Sequence, residues 1–112
     1  MERDEKQRIR LRYAVGLSNA FKKSKYKSFR ELALNTGFEP SHIQRIAAGK
    51  VDVVLTTAIA LAEGLGLSPS ELFAFYEAAT EKEIAEFVAA QQVRKRTPSL
   101  KSKSAKPKKK KK

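Results

Sequence analysis

Apolar residues recur along most of the chain at intervals of three and four positions, which is the spacing of a helix with one buried face. The first such stripe consists of Ile9, Tyr13, Leu17 and Phe21, and similar stripes follow later in the chain. No stretch alternates apolar and polar residues for long enough to indicate a strand. The pattern therefore predicts an all-α protein.

Capping residues and helix breakers mark the boundaries of the predicted helices. Ser28 followed by Glu31 forms a capping box that opens a second helix, and Gly37 ends it. Pro40 suits the first turn of a third helix, which we expect to stop at Gly49. The same signals predict a fourth helix over 55–65, a fifth from Ser68 and Pro69, and a sixth from Thr80.

The N-terminal residues allow two interpretations. Residues 1–14 are either a separate charged arm or an extension of helix 1, because Gly16 within a continuous helix costs about 1 kcal/mol relative to Ala. Residues 15–79 are predicted to form the main domain. The aromatic residues of its last helix, Phe73, Phe75 and Tyr76, are expected in the core; the alternative is that they stack on bases.

The C-terminal part is predicted to contain one more helix and a tail. Residues 80–93 place Ile84, Phe87 and Val88 on one helical face, which serves either as a dimer surface or as packing against the main domain. Residues 94–112 are rich in Lys, Ser and Pro, cannot bury apolar surface, and are expected to be disordered.

Composition limits the function classes. The 112 residues provide one modest core, and the absence of cysteine excludes disulfides, thiolate zinc sites and a cysteine nucleophile. His42 is the only histidine, and no nucleophile has a visible base partner. We therefore expect no enzyme activity, no metal and no cofactor. The apolar stretches are too short for a membrane span, so we expect a cytoplasmic protein, nucleoid-associated when bound to DNA, or a nuclear one if the chain is eukaryotic.

Charge is distributed unevenly. Residues 1–50 carry twelve basic and five acidic side chains, a net +7, whereas residues 51–93 carry one basic and seven acidic side chains, a net −6. Residues 94–112 add eleven basic side chains and no acid. The N-terminal half should therefore attract a polyanion. The tail is expected to add DNA affinity that does not depend on sequence; the alternatives are a nuclear localisation signal and a solubilising or engineered end.

The third predicted helix separates apolar from polar positions. Ile43 and Ile46 should bind this helix to the core. Two short helices around a tight glycine turn are typical of a helix-turn-helix, whose second helix enters the major groove of DNA. Its outward side chains are suited to base contacts, since Arg pairs with guanine and Gln with adenine; the alternative is an ordinary solvated surface. The outward residues are Ser41, His42, Gln44 and Arg45.

A longer set of residues stands at the spacing of a known family. They are Glu31-Leu32-Ala33, Gly37, Ile43, Arg45-Ile46, Gly49-Lys50, Leu55, Ile59, Leu61-Ala62, Leu65-Gly66 and Ser70-Glu71-Leu72-Phe73. In this register residues 17–73 resemble the Cro/phage-repressor (Xre-type) helix-turn-helix family. The resemblance implies a five-helix lambda-repressor-like domain that binds double-stranded DNA, commonly as a homodimer on a two-fold operator.

The resemblance also implies contacts for individual residues. Pro40, Ser41 and Arg45 would face bases, while Lys50 and the backbone amides near Leu55 would face phosphates. The family usually has Ser or Thr where Glu39 stands and often Gln where Phe29 stands, and its relatives often carry a more basic loop than residues 51–54. Basic or polar residues before and within helix 2 are expected to supply further phosphate contacts: Lys25, Lys27, Ser28 and Arg30.

The sequence therefore predicts a sequence-specific transcriptional regulator and does not decide between a repressor and an activator. Two alternatives remain open. One is an antitoxin-like module that binds a protein partner through its acidic later helices and through Val51, Val53 and Val54. The other is a nucleoid-like protein with little sequence preference.

Overall fold

The computed structural model describes the backbone of residues 3–101 and the side chains of residues 3–92. Within this range all regular structure is helical, which confirms the predicted all-α class. The helices are α1 (Arg3–Lys22), α2 (Phe29–Thr36), α3 (Pro40–Ala47), α4 (Leu55–Gly64), α5 (Pro69–Ala78) and α6 (Glu81–Lys101).

Helix α1 is continuous, so the residues before Gly16 extend the helix and do not form a separate arm. Gly16 lies against the backbone of α5, where a Cβ atom would stand 2.9 Å from Tyr76 Cα and 2.9 Å from Tyr76 N. The glycine therefore permits a close helix crossing that a larger residue would block. The packing gained at this crossing offsets the low helix propensity of glycine.

The helix starts at Ser28 and Ser68 each have a Glu three residues later, and their capping hydrogen bonds differ in detail. Ser68 Oγ accepts a hydrogen bond from Glu71 N at 3.2 Å, and the Glu71 carboxylate accepts from Ser68 N at 2.7 Å. At the start of α2, Ser28 Oγ accepts from Glu31 N at 3.1 Å, but the Glu31 carboxylate accepts from Lys27 N. Both helices therefore begin where the sequence predicts. At α2, however, the Glu31 carboxylate accepts from the backbone N–H of Lys27, the residue before the N-cap, and not from that of Ser28.

The chain divides into two units after Thr80, and the first contains a single core. In this unit α1 packs on α3 and α5, α2 packs on α3 and α4, and α4 packs on α5. The largest fully buried side chains come from all five helices: Leu17, Leu32, Ile43, Ile46, Leu61 and Leu72.

The aromatic residues of α5 do not share one environment. Phe75 and Tyr76 pack against the core as predicted. Phe73 is 39% exposed, so the prediction that it lies in the core is wrong. Phe73 and Phe75 are two positions apart on α5 and therefore point to nearly opposite sides of the helix, so both rings cannot face the same core.

The second unit contains α6, which begins at Glu81 and runs to Lys101. The helix therefore continues past residue 93, at which the sequence predicts its end. Residues 89–96 are mostly strong helix formers and include neither Gly nor Pro, which favours continuation of the helix. The remainder of the predicted tail, 102–112, lies outside the described residues. None of the helices in the described range is both long and apolar enough to span a bilayer.

Candidate nucleic-acid interface

Helices α2 and α3 are joined by a three-residue turn. Gly37 follows α2 with φ of 82°, a left-handed conformation that glycine adopts without strain. Phe38 N then donates to the Ala33 carbonyl at 3.0 Å, which satisfies one of the last carbonyls of α2. Glu39 is the N-cap of α3 but makes no side-chain capping bond, and Pro40 is the first residue of the helix.

Helix α3 has sharply separated faces. Ile43 and Ile46 are 0% and 1% exposed and anchor the helix in the core. Pro40 is half-buried, as is His42, whose ring centroid lies 6.3 Å from that of Phe38. The remaining predicted base-contacting side chains are exposed to solvent: Ser41, Gln44 and Arg45.

Basic residues surround the start of α2. Lys25 and Lys27 in the preceding loop and Arg30 in the first turn are all exposed. Ser28 Oγ is already engaged as the acceptor from Glu31 N, but its hydroxyl hydrogen remains able to donate. The Glu31 carboxylate adds a negative charge beside this group, so the local net charge is smaller than the three cations alone would give.

Lys50 and the start of α4 form the other end of the candidate interface. Lys50 N donates to the Arg45 carbonyl at 3.1 Å, which fixes the exposed Lys50 at the C-terminal end of α3. Leu55 begins α4, whose N-cap Val54 provides no side-chain hydrogen bond and whose first turn contains no acidic residue. The N–H groups of this turn are therefore available to an anion, and the helix dipole favours negative charge there.

The loop between α3 and α4 is held by an ion pair that connects it to α1. Arg10 Nε donates to Asp52 Oδ1 at 2.7 Å. This hydrogen bond, together with the nearby charges of Arg10 and Lys6, holds the pKa of Asp52 below its usual range. The charge of Asp52 is therefore balanced by a cation of α1, a pairing that helical periodicity could not predict.

All eleven residues predicted to contact DNA lie outside the core, nine of them exposed and two half-buried. The Lys50–Arg45 backbone hydrogen bond joins one predicted phosphate contact directly to the predicted recognition helix. In the part of the chain that the structure describes, no group of three or more His, Cys, Asp or Glu side chains is placed to hold a metal ion.

Comparison with known proteins adds no relative. No protein-family model, no curated protein and no solved structure matches this chain. A functional assignment therefore depends on the placement of side chains and charges described above.

Proposed function

We propose that the protein is a sequence-specific, double-stranded-DNA-binding transcriptional regulator in which α2 and α3 form an Xre-type helix-turn-helix. The observation that carries this proposal is the separation of faces on α3. Ile43 and Ile46 are fully buried, whereas Gln44 and Arg45, which lie between them in the sequence, are exposed. A helix anchored in this way can enter the major groove without disturbing its own core.

The exposed side chains of α3 have the chemistry required for base contacts. Arg45 can donate two hydrogen bonds to the O6 and N7 atoms of guanine, and Gln44 can pair with the N6 and N7 atoms of adenine. Ser41 lies in the first turn, the part of a recognition helix that reaches base edges. His42 is half-buried beside Phe38, so it has less freedom to reach DNA than the exposed Ser41, Gln44 and Arg45.

Phosphate contacts would flank these residues on both sides. Lys25, Lys27 and Arg30 would provide cations near the start of α2, and Lys50 would provide one at the end of α3. The uncapped first turn of α4 would add main-chain N–H donors near Leu55. The acidic balance of residues 51–93 would keep the later helices away from the DNA backbone and so orient the protein.

The test begins with selection of bound duplexes from a random pool, followed by affinity measurements at several salt concentrations on a selected and a scrambled duplex. Arg45→Ala should lose about 1 to 3 kcal/mol on the selected duplex and little on the scrambled one. Lys50→Gln should weaken both equally and reduce the salt slope by about 0.9 log unit. Lys82→Gln removes the same charge from the acidic half and serves as the matched control.

The outcomes separate the proposal from its alternatives. If Arg45→Ala weakens both duplexes equally, α3 does not discriminate between bases, and a nucleoid-like protein with little sequence preference replaces the regulator. If wild-type protein binds neither duplex at physiological salt, DNA binding is excluded. An antitoxin-like role with a protein partner would then be the class to test.

A further inference from the structure

A groove on the first unit has the size and lining of a small-molecule site. It has a volume of about 500 Å³ and lies between α1, the loop before α4, the start of α4, and α5. Cavities that hold small organic ligands fall in this range and are lined mainly by apolar and aromatic side chains with a few polar groups. Most of this wall is apolar or aromatic, and three of its large apolar side chains are exposed to solvent: Ile9, Leu55 and Phe73.

One residue in the wall of the groove carries a polar atom without a partner. Tyr13 lines the groove and is only 7% exposed, and its buried hydroxyl makes no hydrogen bond with any described residue. Buried hydroxyl groups in folded proteins are normally paired, because an unpaired one has lost its bonds to water without replacement. An oxygen atom of a ligand in the groove supplies the missing partner.

The charged residues that line the groove leave one positive charge in excess. They are two cations, Lys6 and Arg10, and one anion, Asp52. Arg10 Nε donates to Asp52 Oδ1 at 2.7 Å, so these two charges balance each other. The ammonium group of the exposed Lys6 is then the net charge of the groove, and it favours a ligand that carries a negative charge.

Lys6 and Tyr13 lie on the same face of α1. They are seven residues apart, which corresponds to two turns of helix and about 10 Å along the helix axis. Ile9 and Arg10 lie between them on that face and also line the groove. Along α1, the groove therefore has a cation at one end and an unpaired hydroxyl at the other, with an apolar surface between them.

We propose that the groove binds a small amphipathic carboxylate with a second oxygen at the far end of its apolar body, as in a medium-chain hydroxy acid. The carboxylate pairs with Lys6, and the apolar body lies against Ile9, Leu55 and Phe73. The far oxygen accepts a hydrogen bond from the Tyr13 hydroxyl. No residue of α3 lines the groove, so this site goes beyond the proposed DNA binding and does not depend on it.

Fluorescence titration with anilinonaphthalene sulfonate, an apolar aromatic anion, tests the location and the charge preference. Wild-type protein should bind one probe per chain. Lys6→Gln should weaken binding about threefold or more, and Phe73→Ala about tenfold or more, because they remove the excess cation and part of the apolar wall. The matched controls Lys22→Gln and Leu34→Ala change exposed residues outside the groove and should leave binding unchanged. Circular dichroism should show the same helix content in all variants.

Competition between two carboxylates tests the role of the buried hydroxyl. Decanoate and ω-hydroxydecanoate differ only in the terminal oxygen, and each should displace the fluorescent anion. Wild-type protein should bind the hydroxy acid about threefold to tenfold more tightly, because only this ligand can pair with Tyr13. Tyr13→Phe should remove the preference and retain the affinity for decanoate, which completes a double-mutant cycle between the two hydroxyl groups.

Several outcomes would overturn the proposal: a wild-type protein that binds neither the fluorescent anion nor the carboxylates, equal binding by Lys6→Gln and Lys22→Gln, or a preference for the hydroxy acid that persists in Tyr13→Phe. A protein that binds no probe but self-associates in sedimentation equilibrium, with the association lost in Phe73→Ala, would assign the groove to a second copy of the chain instead. None of these measurements uses DNA, so failure of ligand binding and failure of DNA binding are seen separately.

Discussion

Gly16 of α1 lies directly against the backbone of Tyr76 of α5, at a distance where a Cβ atom on residue 16 would approach Tyr76 Cα and N to 2.9 Å. One turn earlier on α1, Arg12 reaches the same part of α5 and donates hydrogen bonds to the Tyr76 and Glu77 carbonyls, both at 2.9 Å. The long first helix is therefore held to the end of α5 by a close backbone approach and by one guanidinium group.

Gly16→Ala should destabilise the protein by about 1 to 3 kcal/mol, because the new methyl group overlaps backbone atoms that cannot rotate away. This loss should exceed the gain of up to about 1 kcal/mol from better helix propensity. Urea denaturation measures the difference. Ser18→Ala, two residues later in α1, is the control and should change stability by about 0.5 kcal/mol or less. A stabilised Gly16→Ala protein would contradict the close crossing.

Arg12→Ala should cost about 1 to 2 kcal/mol, since it leaves two carbonyls at the end of α5 without their charged donor and removes the cation that lies 5.4 Å from the Tyr76 ring centroid. Arg12→Lys should recover only part of this loss, because an ammonium group lacks the planar fork that serves both carbonyls. The same denaturation assay applies. Arg3→Ala, at an exposed position of α1, should stay within about 0.5 kcal/mol of wild type.

Tyr13 should make stability fall at alkaline pH. Its side chain is buried, its hydroxyl has no hydrogen-bond partner among the described residues, and burial raises its pKa from about 10 to about 12. Above pH 10 the unfolded chain loses this proton while the folded chain retains it. The free energy of unfolding should therefore decrease by about 2 to 3 kcal/mol because of this group. The decrease should begin at about pH 10 and level off above about pH 12.

Tyr13→Phe isolates that contribution. Near neutral pH the variant should be within about 1 kcal/mol of wild type or slightly more stable, because it removes a buried hydroxyl that has no partner. Between pH 9 and 12 its denaturation midpoint should fall less steeply than that of wild type, and other titrating groups cancel in the comparison. Parallel pH profiles of the two proteins would show that the hydroxyl is solvated in solution.

Glu39→Ser should improve both stability and DNA binding. Glu39 occupies the N-cap of α3 without making a capping hydrogen bond, whereas Ser can accept one from the first turn. We expect a gain of about 0.5 to 1 kcal/mol in unfolding free energy and tighter binding to every duplex, since a negative charge is removed next to Pro40 and Ser41, two of the proposed DNA contacts. Glu39→Gln separates the effects, because it removes the charge and supplies a poorer cap. An unchanged affinity for both variants would place residue 39 away from DNA.

The sequence by itself determined where most of the helices begin and end, and the amphipathic character of α3. Their starts and ends depend on local chemistry, such as the Ser68 and Glu71 capping box and the left-handed Gly37 and Gly66, and these features act within a few residues. Burial of Ile43 and Ile46 follows from their spacing on a short helix that must attach to a core. Exposure of Gln44 and Arg45 follows from the same spacing.

Only the tertiary structure decided which distant residues α1 contacts. Helix propensity alone makes Gly16 unfavourable in α1, because Tyr76, the partner that makes a glycine necessary there, lies sixty residues away in the chain. Three other features depend on distant residues in the same way. They are the pairing of Arg10 with Asp52, the solvent exposure of the Phe73 side chain, and the burial of the Tyr13 hydroxyl. Propensity and periodicity describe a helix and its own neighbours, whereas these contacts arise between helices whose crossings are set by the packing of the whole core.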